Sequence, residues 1–326
     1  MNMAQARKQR IRDVERLRVL ATSGWSLTLD RMNATRGALI ACSLVAAASS
    51  AAVSGQDSSV LQAVPAAPAA AAPVVLVPHR AIYDLSLAET RANSSIVGVR
   101  GRILYDFSGS ACDGYSLVFR QVSELDNSEG KVSTSDMRST TWEDSGAKSF
   151  KFNSQNFVNE NLVDAVDGRA ERGGAKTAVD LQKPASKMLN LDASVVFPTE
   201  HMVRAIEAAR AGENILSFPV YDGSETGQKV FNTLTVIGHK IVPGQLEHDD
   251  AAAHEPKLAG VPRWPVTISY FSTDKDPQSG EQTPDYAIGF ELYDNGVSRA
   301  LTLDYNDFVV TGKLVSLQFK QAKPCR

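Results

Sequence analysis

Short segments in which apolar and polar residues alternate dominate the chain from about residue 78 to its end. This period of two is the sequence form of an antiparallel sheet, because neighbouring side chains of a strand face opposite sides. The clearest segments are 103–107, 117–122, 230–242, 266–271 and 314–319. One side of each strand is polar and the other apolar, so the pattern predicts a mainly β fold with one sheet wrapped around one core.

The strongest local signal is a hairpin near the C-terminal end. Residues 286–292 and 297–305 both alternate, and Asp294-Asn295-Gly296 lies between them. Asn-Gly is favoured at the centre of a type I′ turn, where both residues need a positive φ. The sequence therefore predicts two paired strands joined by this turn.

One helix is predicted between the strands. Thr199 is placed to cap its N-terminus, Glu200 suits the positive end of the helix dipole, and Gly212 ends it. Its narrow apolar face consists of Met202, Ile206 and Ala209. A helix of about twelve residues is marginal alone, so we expect it to pack against the sheet.

The N-terminal part has the features of a secretory signal peptide. Arg31 and Arg36 precede an apolar run at 37–48 that ends in small residues, and a peptidase could cut after Ala52 or Ser54. The apolar run is shorter than the roughly 20 residues of a membrane span. We therefore expect an exported, soluble, periplasmic protein, whose true start is Met32.

Lipidation of Cys42 is the alternative to complete removal of the signal. The run Leu39-Ile40-Ala41-Cys42 resembles a lipobox, which would make Cys42 the first residue of a lipoprotein. However, only five residues separate Arg36 from Cys42, and the apolar stretch continues beyond the cysteine. The cleaved signal peptide is the favoured interpretation.

The chain divides into three parts. Residues 1–52 form an N-terminal extension with the signal peptide, and residues 53–77 form an Ala/Pro-rich linker with little to bury. Residues 78–326 form the folded domain, which is long enough to bury a core without a metal or a set of disulfides.

Two cysteines, Cys112 and Cys325, remain after removal of the signal. An even number in an oxidising compartment indicates a disulfide, and only one pairing is possible. The bond would close a loop of more than 200 residues, worth about 5 kcal/mol in the chain-entropy model. Two free buried thiols are the alternative, although a penultimate cysteine frays unless something ties it down.

Charge and motifs exclude several functions. Residues 1–36 carry eight basic and three acidic residues, so the remainder has a formal charge of −8 against −3 for the whole chain. An acidic domain without a basic stripe is a poor candidate for binding nucleic acid. The sequence has neither a phosphate-binding Gly-rich loop nor a dinucleotide fingerprint, so we expect no nucleotide cofactor.

Catalytic signatures are also missing. Ser110 and Ser224 lie beside glycines but outside the Gly-x-Ser-x-Gly elbow, and we interpret both as turn residues. His79, which precedes Arg80, His201 and His239 are candidate general bases without a recognisable partner, and a lone histidine is more often a structural residue. The sequence predicts no catalytic residue.

The acidic run at 247–255 contains side chains of the types that bind metal ions. Its possible ligands are His248, Asp249, Asp250, His254 and Glu255. The run lies between Pro243-Gly244 and Pro256 without periodicity, so no rigid element would hold ligands in place. We interpret it as a solvated loop and expect no metal.

Several strings together resemble one family. They include Pro78-His79-Arg80-Ala81, Tyr221-Asp222-Gly223, Trp264-Pro265-Val266 and the segment from Tyr293 to Arg299. From about Val77 to its last residues, the chain resembles the cell envelope integrity protein EipB family. The resemblance implies a periplasmic β-spiral, which is a long and strongly curved antiparallel sheet, and a role in maintaining the envelope against stress.

The same resemblance implies one disulfide, and Cys112 and Cys325 fall where the cysteine pair of the family is expected. It carries over no catalytic residue, because none is established for the family. The long N-terminal extension and the Ala/Pro linker depart from the family pattern, which agrees with a start at Met32 and does not affect the domain.

Two functions remain. The first is a non-enzymatic, monomeric envelope factor that binds a lipid, lipoprotein or protein partner in a groove lined by Phe119, Phe231 and Tyr270, with the helix at 200–211 partly covering it. Alternatively, these aromatics simply fill the core. The second function is a hydrolase acting on glycan or peptide, which requires a polar cleft with two titratable groups of oppositely shifted pKa.

Overall fold

The computed structural model describes residues 72–92, 94–242, 248–273 and 282–321. Within these ranges lie fourteen β-strands and one α-helix, α1, at Pro198–Ala211. The strands are β1 His79–Thr90, β2 Ile96–Ser110, β3 Gly114–Asn127, β4 Val132–Glu143, β5 Ser149–Val158, β6 Asn161–Arg172, β7 Lys176–Lys183, β8 Lys187–Asp192, β9 Ile215–Val220, β10 Phe231–Ile237, β11 Arg263–Ser272, β12 Tyr286–Tyr293, β13 Ser298–Asp304 and β14 Phe308–Phe319.

All fourteen strands form one antiparallel sheet. From one edge to the other the order is β8 to β1, followed by β14 to β9. Every strand except β1, β8, β9 and β14 pairs with both of its sequence neighbours, and the first and last strands pair with each other in the middle of the sheet. The prediction of a mainly β fold with a single antiparallel sheet and one helix is confirmed.

The sheet curls on itself without closing. Val196, which follows β8, forms an isolated parallel bridge with Val220 at the end of β9. Tyr221, the next residue, packs its ring against Phe150 and Phe152 on β5, with centroids 6.4 and 5.7 Å apart. The β9 edge therefore reaches the core side of β5, as expected for a β-spiral.

The core side of the sheet is called the inner face below. Three clusters of buried side chains lie on this face. The first joins β1–β3 to β12–β14, and the second packs α1 against β2, β3 and β10–β12. Both therefore connect opposite halves of the sheet. The third joins β5–β7 to Phe197 and Tyr221. Removal of this apolar surface from water is the main force that holds the curl.

The helix forms where the sequence predicts it, but the predicted cap is wrong. The N-cap position is Phe197, because Pro198 begins the helix and has no N–H that needs a partner. Thr199 lies inside the first turn instead. Gly212 ends the helix as predicted, with a φ of 77° that favours glycine.

The hairpin of β12 and β13 is confirmed, whereas its predicted turn type is wrong. Gly296 has a φ of 85°, while Asn295 is not among the residues with positive φ. The N–H of Gly296 donates to the carbonyl of Tyr293 at 2.9 Å, and the N–H of Tyr293 donates to the carbonyl of Val297 at 2.8 Å. These bonds define a three-residue loop in which only the glycine is left-handed.

The signal peptide, and the linker up to residue 71, lie outside the described residues, so the three-part division of the chain stays a prediction. In the ranges that the structure describes, no helix has both the length and the apolar character needed to cross a bilayer.

Candidate functional site

A row of half-buried side chains crosses the inner face from β2 to β5. Tyr105 on β2 pairs with Phe119 on β3. Phe119 pairs in turn with Ser139 on β4, which pairs with Ser154 on β5. Since pairing partners face the same side of a sheet, all four point inward. Each keeps part of its surface accessible to solvent.

Part of the inner face is fully buried against α1. Phe107 and Tyr115 are buried in the same cluster as Ala205 and Ile206 of α1. Other apolar side chains that pack against this cluster, or against the cluster that joins β1–β3 to β12–β14, are half-buried. We call six of them the inner patch: Tyr105, Leu117, Phe119, Met202, Tyr270 and Phe290. The inner patch draws on both halves of the curled sheet.

The inner patch lies on the concave side of the curled sheet, and we call the space in front of it the recess. Desolvation by burial raises the pKa of Tyr105 and of Tyr270 above the ordinary phenol value. Both side chains nevertheless retain solvent-accessible surface.

The three aromatics predicted to line a groove have different positions. Phe231 and Tyr270 meet edge to face with centroids 5.8 Å apart, and Tyr286 stacks on Tyr270 at 4.3 Å. Phe231 is fully buried, so it fills the core as the alternative interpretation had it. Phe119 lies on β3 in the other half of the sheet, and it keeps exposed surface as Tyr270 does.

The inner wall becomes polar from β4 to β5. Next to Ser139 and Ser154 along these strands, Met137 pairs with Asn156 on the same face. Asn156 is only 3% exposed, and its Oδ1 has no hydrogen-bond partner among the described residues. A buried amide oxygen without a partner costs free energy unless a ligand or water satisfies it. The recess is therefore apolar at one end and polar at the other.

Glu143 of β4 fixes the start of α1 beside this recess. Its Oε2 accepts the N–H of Thr199 and its Oε1 accepts the N–H of Glu200, both at 2.8 Å. The carboxylate thus satisfies two of the free N–H groups of the helix N-terminus. Burial raises the pKa of Glu143 to about 7, although these hydrogen bonds act in the opposite direction.

The raised pKa of Glu143 makes stability depend on pH. The folded chain holds this proton more tightly than the unfolded chain, so the contribution is present below pH 4.5 and is lost as the pH rises through 7. The free energy of unfolding of the wild type, relative to that of Glu143→Gln, should fall by about 3 kcal/mol between pH 4.5 and 8.

Urea unfolding followed by circular dichroism at several pH values measures this difference. Subtracting the free energy of unfolding of Glu143→Gln from that of the wild type cancels the contributions of the titrating groups that the two proteins share. A difference that stays flat or rises with pH would show that the carboxylate is ionised throughout, and would contradict the prediction.

His201 on α1 has the opposite shift. Its Nε2 is 2.9 Å from the hydroxyl of Thr235 on β10, and burial lowers its pKa to about 4. Glu143 and His201 are therefore a pair of groups with oppositely shifted pKa, as a hydrolase would need. Both are buried and bonded to structural partners, so neither is placed to meet a substrate.

The other candidate bases are not brought together. His79 is buried, its Nδ1 lies 2.8 Å from the carbonyl of Val77, and its ring stacks on Tyr105 with centroids 5.6 Å apart. Burial lowers the pKa of His79. The neighbouring Arg80 forms an ion pair with Asp106, and His239 is exposed.

The two candidate serines lie in turns, as interpreted from the sequence. The hydroxyl of Ser110 accepts the N–H groups of Cys112 and Asp113 in the turn between β2 and β3. Ser224 lies in a turn between β9 and β10, where its N–H donates to Asp222.

The acidic run is only partly the solvated loop that the sequence predicts. His254 and Asp249 are exposed, but Asp250 is buried against Arg299. His248 places its Nε2 3.0 Å from Glu291, and residues 243–247 lie outside the described ranges. A buried arginine explains the difference, because it needs a carboxylate partner. The described residues contain no group of three or more side chains that could hold a metal.

Cys112 lies in the exposed turn between β2 and β3 and is disulfide-bonded. Its predicted partner, Cys325, lies outside the described residues, so this pairing stays a prediction.

Comparison with known proteins identifies relatives over most of the chain. The EipB-like family model matches residues 70–321. The cell envelope integrity protein EipB of Brucella abortus (strain 2308) is 43% identical over 251 residues, which are 77% of this chain and 87% of that protein. A crystal structure from Brucella abortus, described as a β-barrel-like protein of the domain of unknown function DUF1849, superposes with a TM-score of 0.70 at 42% identity, and the match covers 76% of this chain and all of that one. The chain belongs to the EipB-like family.

Proposed function

We propose that this protein is a non-enzymatic periplasmic factor that supports the integrity of the cell envelope by binding the acyl chain of a lipid or lipoprotein in the inner recess. The name of its relative from Brucella abortus supports the envelope role. The predicted signal peptide supports the periplasmic location.

One observation carries the binding proposal: the inner patch stays half-buried although it faces the core. Aromatic and aliphatic side chains that line a concave surface gain free energy when an apolar ligand covers them. The polar end at Ser139 and Ser154 offers hydroxyl groups to the head of an amphiphile. The recess therefore suits a molecule with an apolar chain and a polar group without net charge.

The arrangement of titratable groups supports a binding protein over a hydrolase. Glu143 and His201 are committed to the first turn of α1 and to Thr235, respectively. His79 is enclosed by aromatic rings. A catalytic acid or base has to reach a substrate proton, and these three are held away from the recess surface by their own contacts.

Adjacent residues on β3 provide a matched test. Phe119 points inward to the recess, whereas Val118 points outward and is 45% exposed. We expect the protein to bind the apolar fluorophore N-phenyl-1-naphthylamine and to release it when lysophosphatidylethanolamine is added. Phe119→Asp should weaken fluorophore binding at least tenfold, because a carboxylate is costly in an apolar recess. Val118→Asp should leave binding unchanged.

Circular dichroism of both variants checks that the sheet is intact. Equal binding by the two variants, or no binding by the wild type, would contradict the proposal.

A further inference from the structure

A second concave surface lies on the opposite, outer face of the sheet, across β3 to β7. Its volume is about 480 Å³, and it is open to solvent. Six of the side chains that line it are called the outer groove: Trp142, Lys151, Asn153, Asp167, Arg169 and Asp180. None of these six belongs to the inner patch.

The strand register places these side chains in two rows across the strands. In the first row Trp142 on β4 pairs with Lys151 on β5, and Lys151 pairs with Arg169 on β6, which pairs with Asp180 on β7. In the second row Asn153 pairs with Asp167. Five strands at about 4.8 Å spacing give the groove a length of about 19 Å.

The charges of the outer groove balance locally. Lys151 and Arg169 are cationic and Asp167 and Asp180 are anionic, and the Arg169 Nε lies 3.7 Å from the Asp180 Oδ2. The amide of Asn153 donates to Asp167 at 2.6 Å. A surface without net charge does not favour a polyanion or a polycation. Closely spaced donors and acceptors of this kind suit a ligand with many hydroxyl groups.

Trp142 forms an aromatic wall at one end of the groove. Its indole N–H donates to the carbonyl of Asp113 at 3.3 Å, and a Cβ at Gly114 would lie 3.0 Å from the ring. The ring is therefore fixed against the backbone of β3. Lys151 lies 5.0 Å above the ring centroid, but it is exposed and free to move aside. A rigid indole of this kind packs against the C–H face of a sugar ring.

The position of the outer groove within the sheet argues against a peptide as its ligand. Peptides bind sheets mainly by pairing with an exposed edge strand. The edges of this sheet are β8 and β9, whereas β3 to β7 are interior strands whose backbone groups are used in the ladder. A ligand in the outer groove therefore meets mainly side chains.

We infer that the outer groove binds a linear, uncharged oligosaccharide that extends along the groove across the strands. Trp142 stacks on one ring, and the carboxylates, guanidinium and amide bind hydroxyl groups of the others. This site is independent of acyl-chain binding, because it lies on the other face of the sheet.

Isothermal titration calorimetry of the full mature chain with chitotetraose, cellotetraose and maltotetraose tests the inference, with tetra-alanine as the peptide probe. We expect one or more of the sugars to bind and tetra-alanine not to bind. Trp142→Ala and Asp167→Asn should each weaken sugar binding at least tenfold. The control is Asp136→Asn, which changes an aspartate on the same face of β4 that pairs with Arg120 and Arg138 outside the groove; it should leave sugar binding unchanged.

Three outcomes would overturn the inference: no sugar binds at millimolar concentration, tetra-alanine binds in place of the sugars, or Trp142→Ala and Asp167→Asn bind sugar as the wild type does. Fluorophore binding in the inner recess should be unchanged in all three variants, so failure here is distinguishable from failure of the proposed function.

Discussion

Replacing Arg299 with alanine should lower the free energy of unfolding by about 3–5 kcal/mol, because it leaves the Asp250 carboxylate buried without its partner. The Arg299 Nε donates to the Asp250 Oδ2 at 2.9 Å, and its Nη2 lies 2.8 Å from the Asp250 Oδ1. Each side chain is only 3% exposed. Arg299 also donates to the carbonyl of His248, so the same change releases the segment before β11.

Urea unfolding of the wild type and three variants measures this effect. The double variant Asp250→Leu/Arg299→Met should recover most of the lost stability, since an apolar pair leaves no buried charge. Arg102→Ala is the control, because Arg102 pairs with Asp84 at the surface, and it should leave the unfolding midpoint unchanged. If Arg299→Ala behaves like Arg102→Ala, the ion pair does not stabilise the fold.

The second large effect concerns the disulfide that we propose between Cys112 and Cys325. His79 pairs with Phe107 on one side and with Phe319 on the other, so β2 and β14 run in the same direction. Cys112 follows Phe107 by five residues, and Cys325 follows Phe319 by six. Phe107 and Phe319 therefore lie on either side of β1, at the same end of β2 and β14.

Either Cys112→Ser or Cys325→Ser should lower the free energy of unfolding by about 2–5 kcal/mol while the far-ultraviolet spectrum stays that of a β protein. The double variant should be no less stable than either single one, because both changes break the same bond. Reduced wild type should match the variants. Additive losses, or melting equal to that of the oxidised wild type, would contradict the pairing.

The strands that the sequence predicted have a mainly apolar inner face. The alternation at 266–271 and 314–319 reflects side chains that are more buried on one side than on the other. Strand β4 was missed because most of its inner residues are polar: Ser133, Ser135, Ser139 and Thr141. The pattern thus fails where the inner wall becomes the polar end of the recess.

The long-range strand pairing that forms the candidate site could not be predicted from the sequence. The sequence analysis named Phe119 and Tyr270 as aromatics that line a groove, but only the curl brings both strand halves to one core. Glu143 caps a helix that begins 55 residues later in the chain, which no local pattern reveals. The outer groove likewise exists only through register, since Trp142 and Asp180 are far apart in sequence.

Native mass spectrometry after incubation with a lipid extract of a bacterial envelope, without detergent, tests acyl-chain binding most directly. We predict a mature chain that carries one acyl lipid, which organic solvent releases, and a Phe119→Asp chain that carries none while Val118→Asp carries it. A wild-type chain that emerges without lipid would contradict the account.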